Sequence, residues 1–162
     1  MYRVRKIIVD TQYQDYLARI AAAERERIYC KHDYNHALYV ARLAYLIALE
    51  SGCEQRFEVK PLVYAAGLLH DIGRWVQYAR GEDHCQAAPQ LAEPLLLKAG
   101  FGREKTGVII EGIVQHRSPQ GSEIGGWLAK ADDLSRDCYG CQGRPSCYKA
   151  EEMLKLHRSL EF

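Results

Sequence analysis

The chain lacks any apolar run long enough to cross a bilayer, because Lys, Arg, Asp or Glu interrupts every candidate stretch, so a membrane-spanning protein is not expected. Its opening segment, MYRVRKIIVD, carries basic groups but neither an apolar core nor a small-residue cleavage site. A secreted product is therefore not expected either. The six cysteines are assigned to a reducing cytoplasm, where thiols serve as metal ligands, catalytic groups or core residues more often than as disulfides. An excess of one charge is missing too: 22 Lys+Arg against 21 Asp+Glu leave +1, which argues against strong nucleic-acid binding through phosphates.

Several catalytic patterns are also absent. There is no Gly-x-x-x-x-Gly-Lys-Ser/Thr, no His-Glu-x-x-His and no Gly-x-Ser-x-Gly, and Gly100-Phe101-Gly102 lacks the third glycine of a dinucleotide loop. No internal repeat or low-complexity tract is found. No period-2 run rich in β-branched residues stands out, residues 4–9 being at most a short extension.

What is present is a 162-residue chain, 48% hydrophobic and 27% charged, of the size and composition of one soluble domain. Helical periodicity dominates it. From His36 the positions Val40, Leu43, Ala44, Ile47 and Ala48 make one face, with Gly52 as the stop. Asp10 and Thr11 cap a helix through Tyr13, Leu17 and Ile20 that ends in the charged run 24–27. Further helices are predicted from Val59 to about His70 with Pro61 in the first turn, over 84–99, over 103–117, from Ile124 to about Arg136, and over 148–157. Pro89 is expected to start a new turn of its helix and Pro94 to kink it, and 118–122 is a turn cluster. The expectation is an all-α, single-domain bundle of about six helices.

The polar residues on the apolar stripes carry the chemistry. His36, His70, His116 and Asp132 each lie on the inward stripe of a different predicted helix, and Asp71 follows His70. One inward histidine is commonly a hydrogen-bonded core residue; four inward ionisable positions would each cost a few kcal/mol if unpaired. A divalent cation would satisfy them together, and imidazoles with carboxylates are what first-row transition metals bind.

The segments Tyr34-Asn35-His36-Ala37-Leu38-Tyr39-Val40-Ala41, Leu68-Leu69-His70-Asp71-Ile72-Gly73-Arg74 and Ala131-Asp132-Asp133-Leu134 resemble the signature of the HD-domain metal-dependent phosphohydrolases. The likeness runs from about Arg27 to Arg136. It implies a helical bundle with a central metal site and hydrolysis of phosphate esters or anhydrides of nucleotides and related molecules. By the resemblance, His36, His70, Asp71 and Asp132 are the core ligands, with Asp71 the catalytic residue that bridges or orients the attacking water. His84 and His116 occupy the places of two further histidines found in members with two ions, so one or two divalent ions (Mn, Fe, Co, Ni, Zn or Mg) are expected. Asp133 is read as solvated, Asp33 as a helix cap, and His32 as at most a neighbour of the ligands. The implied organisation is an extension and helix over 1–26, the metal-binding domain over 27–137, and a Cys-rich loop with a short helix over 138–162 packed on the same domain.

Arg74, three residues after Asp71, and Arg136, four after Asp132, can extend beside the ligands toward a phosphate, or be salt-bridged surface arginines. Arg117 is a weaker candidate. Cys138, Cys141 and Cys147 have part of the spacing of a metal knuckle, with Cys30 the best fourth ligand, for structural zinc or an iron–sulfur cluster. The open alternative is reduced, packed or redox-active thiols. The same residues resemble a small bacterial HD-domain subset in which Cys-Lys/Arg-His precedes the first ligand and a Cys-x2-Cys…Cys tail follows the last. Cys53 and Cys85 read as ordinary buried residues. The leading function is a cytoplasmic phosphohydrolase of a small, nucleotide-like substrate; the alternatives are a metal- or ligand-sensing module that turns nothing over, and an HD-type di-iron oxygenase.

Overall fold

The computed structural model describes residues 1–117 and 121–159. Their elements are helices alone: α1 (Tyr2–Ile8), α2 (Thr11–Ala23), α3 (Tyr34–Glu50), α4 (Arg56–Leu69), α5 (Arg74–Arg80), α6 (His84–Ala99), α7 (Arg103–Gln115), α8 (Glu123–Leu134) and α9 (Ala150–Ser159), with a 3-10 turn at Arg144–Ser146. The all-α expectation holds, and α1 and α5 are short helices added to those expected from periodicity. Residues 4–9 are helical over most of their length rather than extended, because Val4 and Ile7 fall one turn apart and bury together.

Local chemistry sets the ends. Asp10 caps α2 by accepting from Gln12 N, Asp33 caps α3 by accepting from His36 N, and Asp83 caps α6 by accepting from Cys85 N. Gly52, just past α3, has φ +79°. Pro61 lies further inside its helix than expected, since α4 begins at Arg56, and α6 is one helix that runs through Pro89, where a new turn was expected, and also contains Pro94. Burial of Ala88, Ala92, Leu95 and Leu96 against the core outweighs the lost backbone bonds. Of the turn cluster, 118–120 lies outside the described residues; Ser122 caps α8 by accepting from Gly125 N.

Helix α4 is the axis of the bundle, packed against α3, α7, α1, α8 and α6, while α3 and α7 also meet α8. Two glycines set how closely helices approach. A Cβ on Gly67 would lie 2.6 Å from Ala41 Cα, so α3 and α4 meet backbone to backbone and the ends bearing His36 and His70 converge. A Cβ on Gly73 would collide with the His84 carbonyl, so the turn after Asp71 sits directly on the start of α6. No helix among the described residues is long and apolar enough to cross a membrane.

Candidate metal centre

His70 and Asp71 directly follow α4, His36 is in the first turn of α3, Asp132 is in the last turn of α8, His84 is the first residue of α6 and His116 follows α7. All six ligand candidates from the sequence meet at one place. His36 Nε2 is 3.2 Å from Asp132 Oδ1 and 3.7 Å from Asp71 Oδ2, and His70 Nε2 is 3.3 Å from Asp71 Oδ2. His84 Nε2 is 3.1 Å from the other oxygen of Asp71, Oδ1. The rings form a continuous row, with centroids 5.6 Å apart for His32 and His36, 5.5 Å for His36 and His70, 5.3 Å for His70 and His116, and 5.9 Å for His116 and His84.

Each imidazole is turned the same way. Nδ1 of His70 donates to Gly67 O at 2.7 Å, and Nδ1 of His116 to Ile113 O at 2.6 Å. Nδ1 of His84 donates to Gln77 Oε1 at 2.8 Å, and Nδ1 of His36 lies 3.3 Å from the hydroxyl of Ser135. A tethered Nδ1–H leaves Nε2 with its lone pair facing the centre, the tautomer a metal needs. His36 Nε2, His70 Nε2 and Asp71 Oδ2 are buried with no hydrogen-bond partner. Orphaned polar atoms of this kind cost about 1–3 kcal/mol each, and a divalent cation would satisfy them. Two groups among the described residues bring ligand atoms within 4.8 Å of one another: His36, His70, Asp71 and Asp132, and then His84, Cys85 and His116. The residues fit a metal.

The electrostatics agree with a cation site. Burial opposes charge on Asp71, but His70, His36 and His84 hold its carboxyl well below the usual range. Asp132 is likewise held down, against its burial, by His36 and Arg136. Burial would lower His36, yet Asp132 and Asp71 outweigh it and push the imidazole up to about 9. His116, buried beside His70, is lowered to about 4.

Both candidate phosphate arginines are engaged with the carboxylates of candidate ligands. Arg74 Nε donates to Asp71 Oδ1 at 2.9 Å, and Arg136 Nη2 to both oxygens of Asp132 at 2.7 and 2.6 Å. Arg117, the weaker candidate in sequence, is half exposed and brings Nη2 to 3.0 Å from His84 Nε2. Asp133 faces away toward Lys149, at 4.0 Å.

The cysteine loop docks on residues 27–30. Tyr29 Oη and Ser146 Oγ are 3.2 Å apart, and Gly143 sits against Tyr29 and the Ile28 carbonyl. Cys138 is buried, and burial followed by the proximity of Cys30, Cys141 and Cys147 raises its thiol pKa. Burial would lower the Arg136 pKa, but the Asp132 carboxylate and, after it, the neighbouring Cys30 side chain push it up. Among the described residues, Cys30, Cys138, Cys141 and Cys147 do not form a group with ligand atoms within 4.8 Å of one another.

Two contributors to the centre, Glu24 and Cys85, were hidden at the level of sequence. Glu24, in the charged run at the end of α2, is 2% exposed and accepts from His32 N at 2.7 Å, His32 Nδ1 at 2.5 Å and Tyr78 Oη at 2.5 Å. His32 thereby presents Nε2 to Asp71 Oδ2 at 3.7 Å. Cys85, expected to be an ordinary buried residue, stands in the second ligand group. Its adjacency to His84 in the first turn of a helix was the only available signal. An open basin of about 680 Å³ lies beside His36, with Arg25, Lys31, Tyr39, Arg136 and Cys141 among its lining residues.

The HD domain family model matches residues 33–137. An uncharacterised protein of Clostridium beijerinckii is 34% identical over 152 residues, 94% of this chain and 95% of its own length. A crystal structure described as a predicted HD superfamily hydrolase from an uncultured Thermotogales bacterium is similar at a TM-score of 0.59 and 25% identity, covering 90% of this chain and 84% of that one.

Proposed function

The chain belongs to the HD domain family of metal-dependent hydrolases, and from that premise we propose that it hydrolyses phosphate-ester or anhydride bonds of a small nucleotide-like substrate, in the cytoplasm, with two divalent ions. The observation that carries the two-ion reading is the division of Asp71: Oδ2 faces His36 and His70, while Oδ1 faces His84. A carboxylate set between two imidazole groups is placed to bridge two cations, as in sites that clamp both the attacking and the leaving oxygen. When bound, the ions would supply a water ionised near neutral pH and positive charge for the phosphoryl oxygens.

The chain's own residues do the rest. His36, His70, Asp71 and Asp132 would hold one ion, and His84 and His116 with Asp71 the other. Asp71 orients the nucleophile. Arg117 reaches the centre from the solvent side, where it meets an incoming phosphate, and Arg74 and Arg136 fix the carboxylates while keeping unused N–H donors near the site. The basin beside His36 would receive the rest of the substrate, its volume falling within the usual range for small-molecule sites. We also read Cys30, Cys138, Cys141 and Cys147 as the thiols that a structural zinc would staple together.

The test is phosphate release from a panel of nucleotides and simple phosphoesters, with manganese, cobalt, zinc or magnesium supplied. The expected outcome is metal-dependent turnover that Asp71→Ala abolishes while the helical circular-dichroism signal stays. Absence of turnover on every phosphoester with every metal would overturn the assignment.

A further inference from the structure

The second ligand group contains a residue that the two-ion reading does not use. Cys85 Sγ lies 3.6 Å from His84 Nε2, and with His116 the three ligand atoms are within 4.8 Å of one another. His84 is fully buried, and His116 and Cys85 are 3% and 6% exposed. We propose that Cys85 is a metal ligand, which makes the second position a His84–Cys85–His116 site that shares Asp71 with the first. This rests on the two-ion reading and gives its second position a distinct chemistry.

Three features argue for the thiol as donor rather than filler. Its surroundings are the wrong kind for a packing residue: it contacts an imidazole nitrogen, and that same nitrogen faces Asp71 Oδ1 at 3.1 Å. Its backbone is fixed, because Asp83 Oδ1 accepts from Cys85 N at 3.0 Å, and Gly73 lets the turn carrying Asp71 lie on the first turn of α6. The neighbouring donors are already oriented, Gln77 and Ile113 O holding Nδ1 of His84 and His116 so that Nε2 is left for an ion, the Arg117 guanidinium 3.0 Å from His84 Nε2 giving way as it binds.

Charge and softness then separate the two positions. Two neutral imidazoles, one thiolate and a share of Asp71 balance a divalent ion, and the S–H proton leaves to solvent as the metal–sulfur bond forms. The first position has only nitrogen and oxygen donors. The second, with sulfur, favours zinc, cobalt or cadmium over manganese or magnesium.

Cobalt titration of the full chain tests this, because a thiolate ligand gives a near-ultraviolet sulfur-to-cobalt charge-transfer band that imidazole and carboxylate do not. In the wild type, binding at the second position is expected to bring in such a band. Cys85→Ala should lose that component and bind the ion at this position at least about tenfold more weakly, as even an outer partner of a metal site costs that much. Cys53→Ala, at a half-buried thiol elsewhere, is expected to change neither. If two ions bind at the histidine cluster and the band is unchanged by Cys85→Ala, or disappears with Cys138→Ala instead, Cys85 is not a ligand and the two-ion reading stands. If the histidine cluster of the wild type holds one ion only, both fall together. Should Cys85→Ala misfold, Cys85→Ser, which keeps the volume but not the sulfur, reads the same band.

Discussion

At the scale of single residues, the support behind the ligands is as informative as the ligands. Glu24 is a buried carboxylate whose ionisation is opposed by burial, yet the two donors of His32 and the Tyr78 hydroxyl prevail and hold it at about 2, from an ordinary value of 4.5. A depressed carboxylate contributes stability that is complete above its unfolded pKa and is lost as pH falls through the folded one. Glu24→Gln sets an amide N–H against a donor of His32, and an unsatisfied buried pair of this kind costs about 1–3 kcal/mol. The variant is therefore expected to melt below the wild type at neutral pH, the gap narrowing as pH falls from 4.5 toward 2. Thermal unfolding of both proteins without metal, across that range, checks it. Loss of hydrolysis in Asp71→Ala, with the fold kept, is the companion expectation at the centre itself.

At the scale of elements, close helix contact decides where histidines meet. Gly67 is pressed on the Ala41 backbone, so Gly67→Ala must push α3 from α4; overpacking of that kind costs about 1–3 kcal/mol, and it separates His36 from His70. Gly107, inside α7, lies on the exposed side, and a methyl group added there would meet no atom within 4 Å. Gly107→Ala is expected to stabilise by about 0.5–1 kcal/mol through helix propensity alone. Opposite shifts in denaturant midpoint for the two variants, with metal affinity reduced only in Gly67→Ala, are the measurement. The thiol loop is a second element-scale case. Residues 136–147 carry Gly140, Gly143 and Pro145 and bury little, so zinc is expected to raise the melting temperature of the wild type and to do so much less in Cys138→Ser.

At the scale of the whole molecule, a nearly neutral chain carries a basin lined by both signs of charge, Arg25, Arg27, Lys31 and Arg136 among Glu26, Asp33 and Asp137. Arg25 and Lys31 line it from the segment between α2 and α3, and Arg136 and Cys141 from the segment after α8. The double variant Arg25→Glu with Lys31→Glu should raise KM for an anionic substrate by about twofold to fivefold at low salt, the size expected of rim charges, with kcat little changed. Steady-state kinetics at low and high ionic strength reads this out, and the difference should shrink with salt.

Helical class and candidate ligands follow from the order of amino acids alone, because a stripe of apolar residues records which face is buried, and an ionisable group on that stripe must find a partner. His36, His70, Asp71, His84, His116 and Asp132 were legible for that reason and through their likeness to a family. Packing in three dimensions was needed to bury Glu24 against Tyr78, to engage Arg74 with Asp71 and Arg136 with Asp132, and to bring Cys85 to His84 and His116. These facts depend on which helix lies across from which. Periodicity reports the side of a helix that faces inward, but the partner it meets there comes from a segment far along the chain, brought near by backbone contacts such as Gly67 on Ala41 and Gly73 on His84.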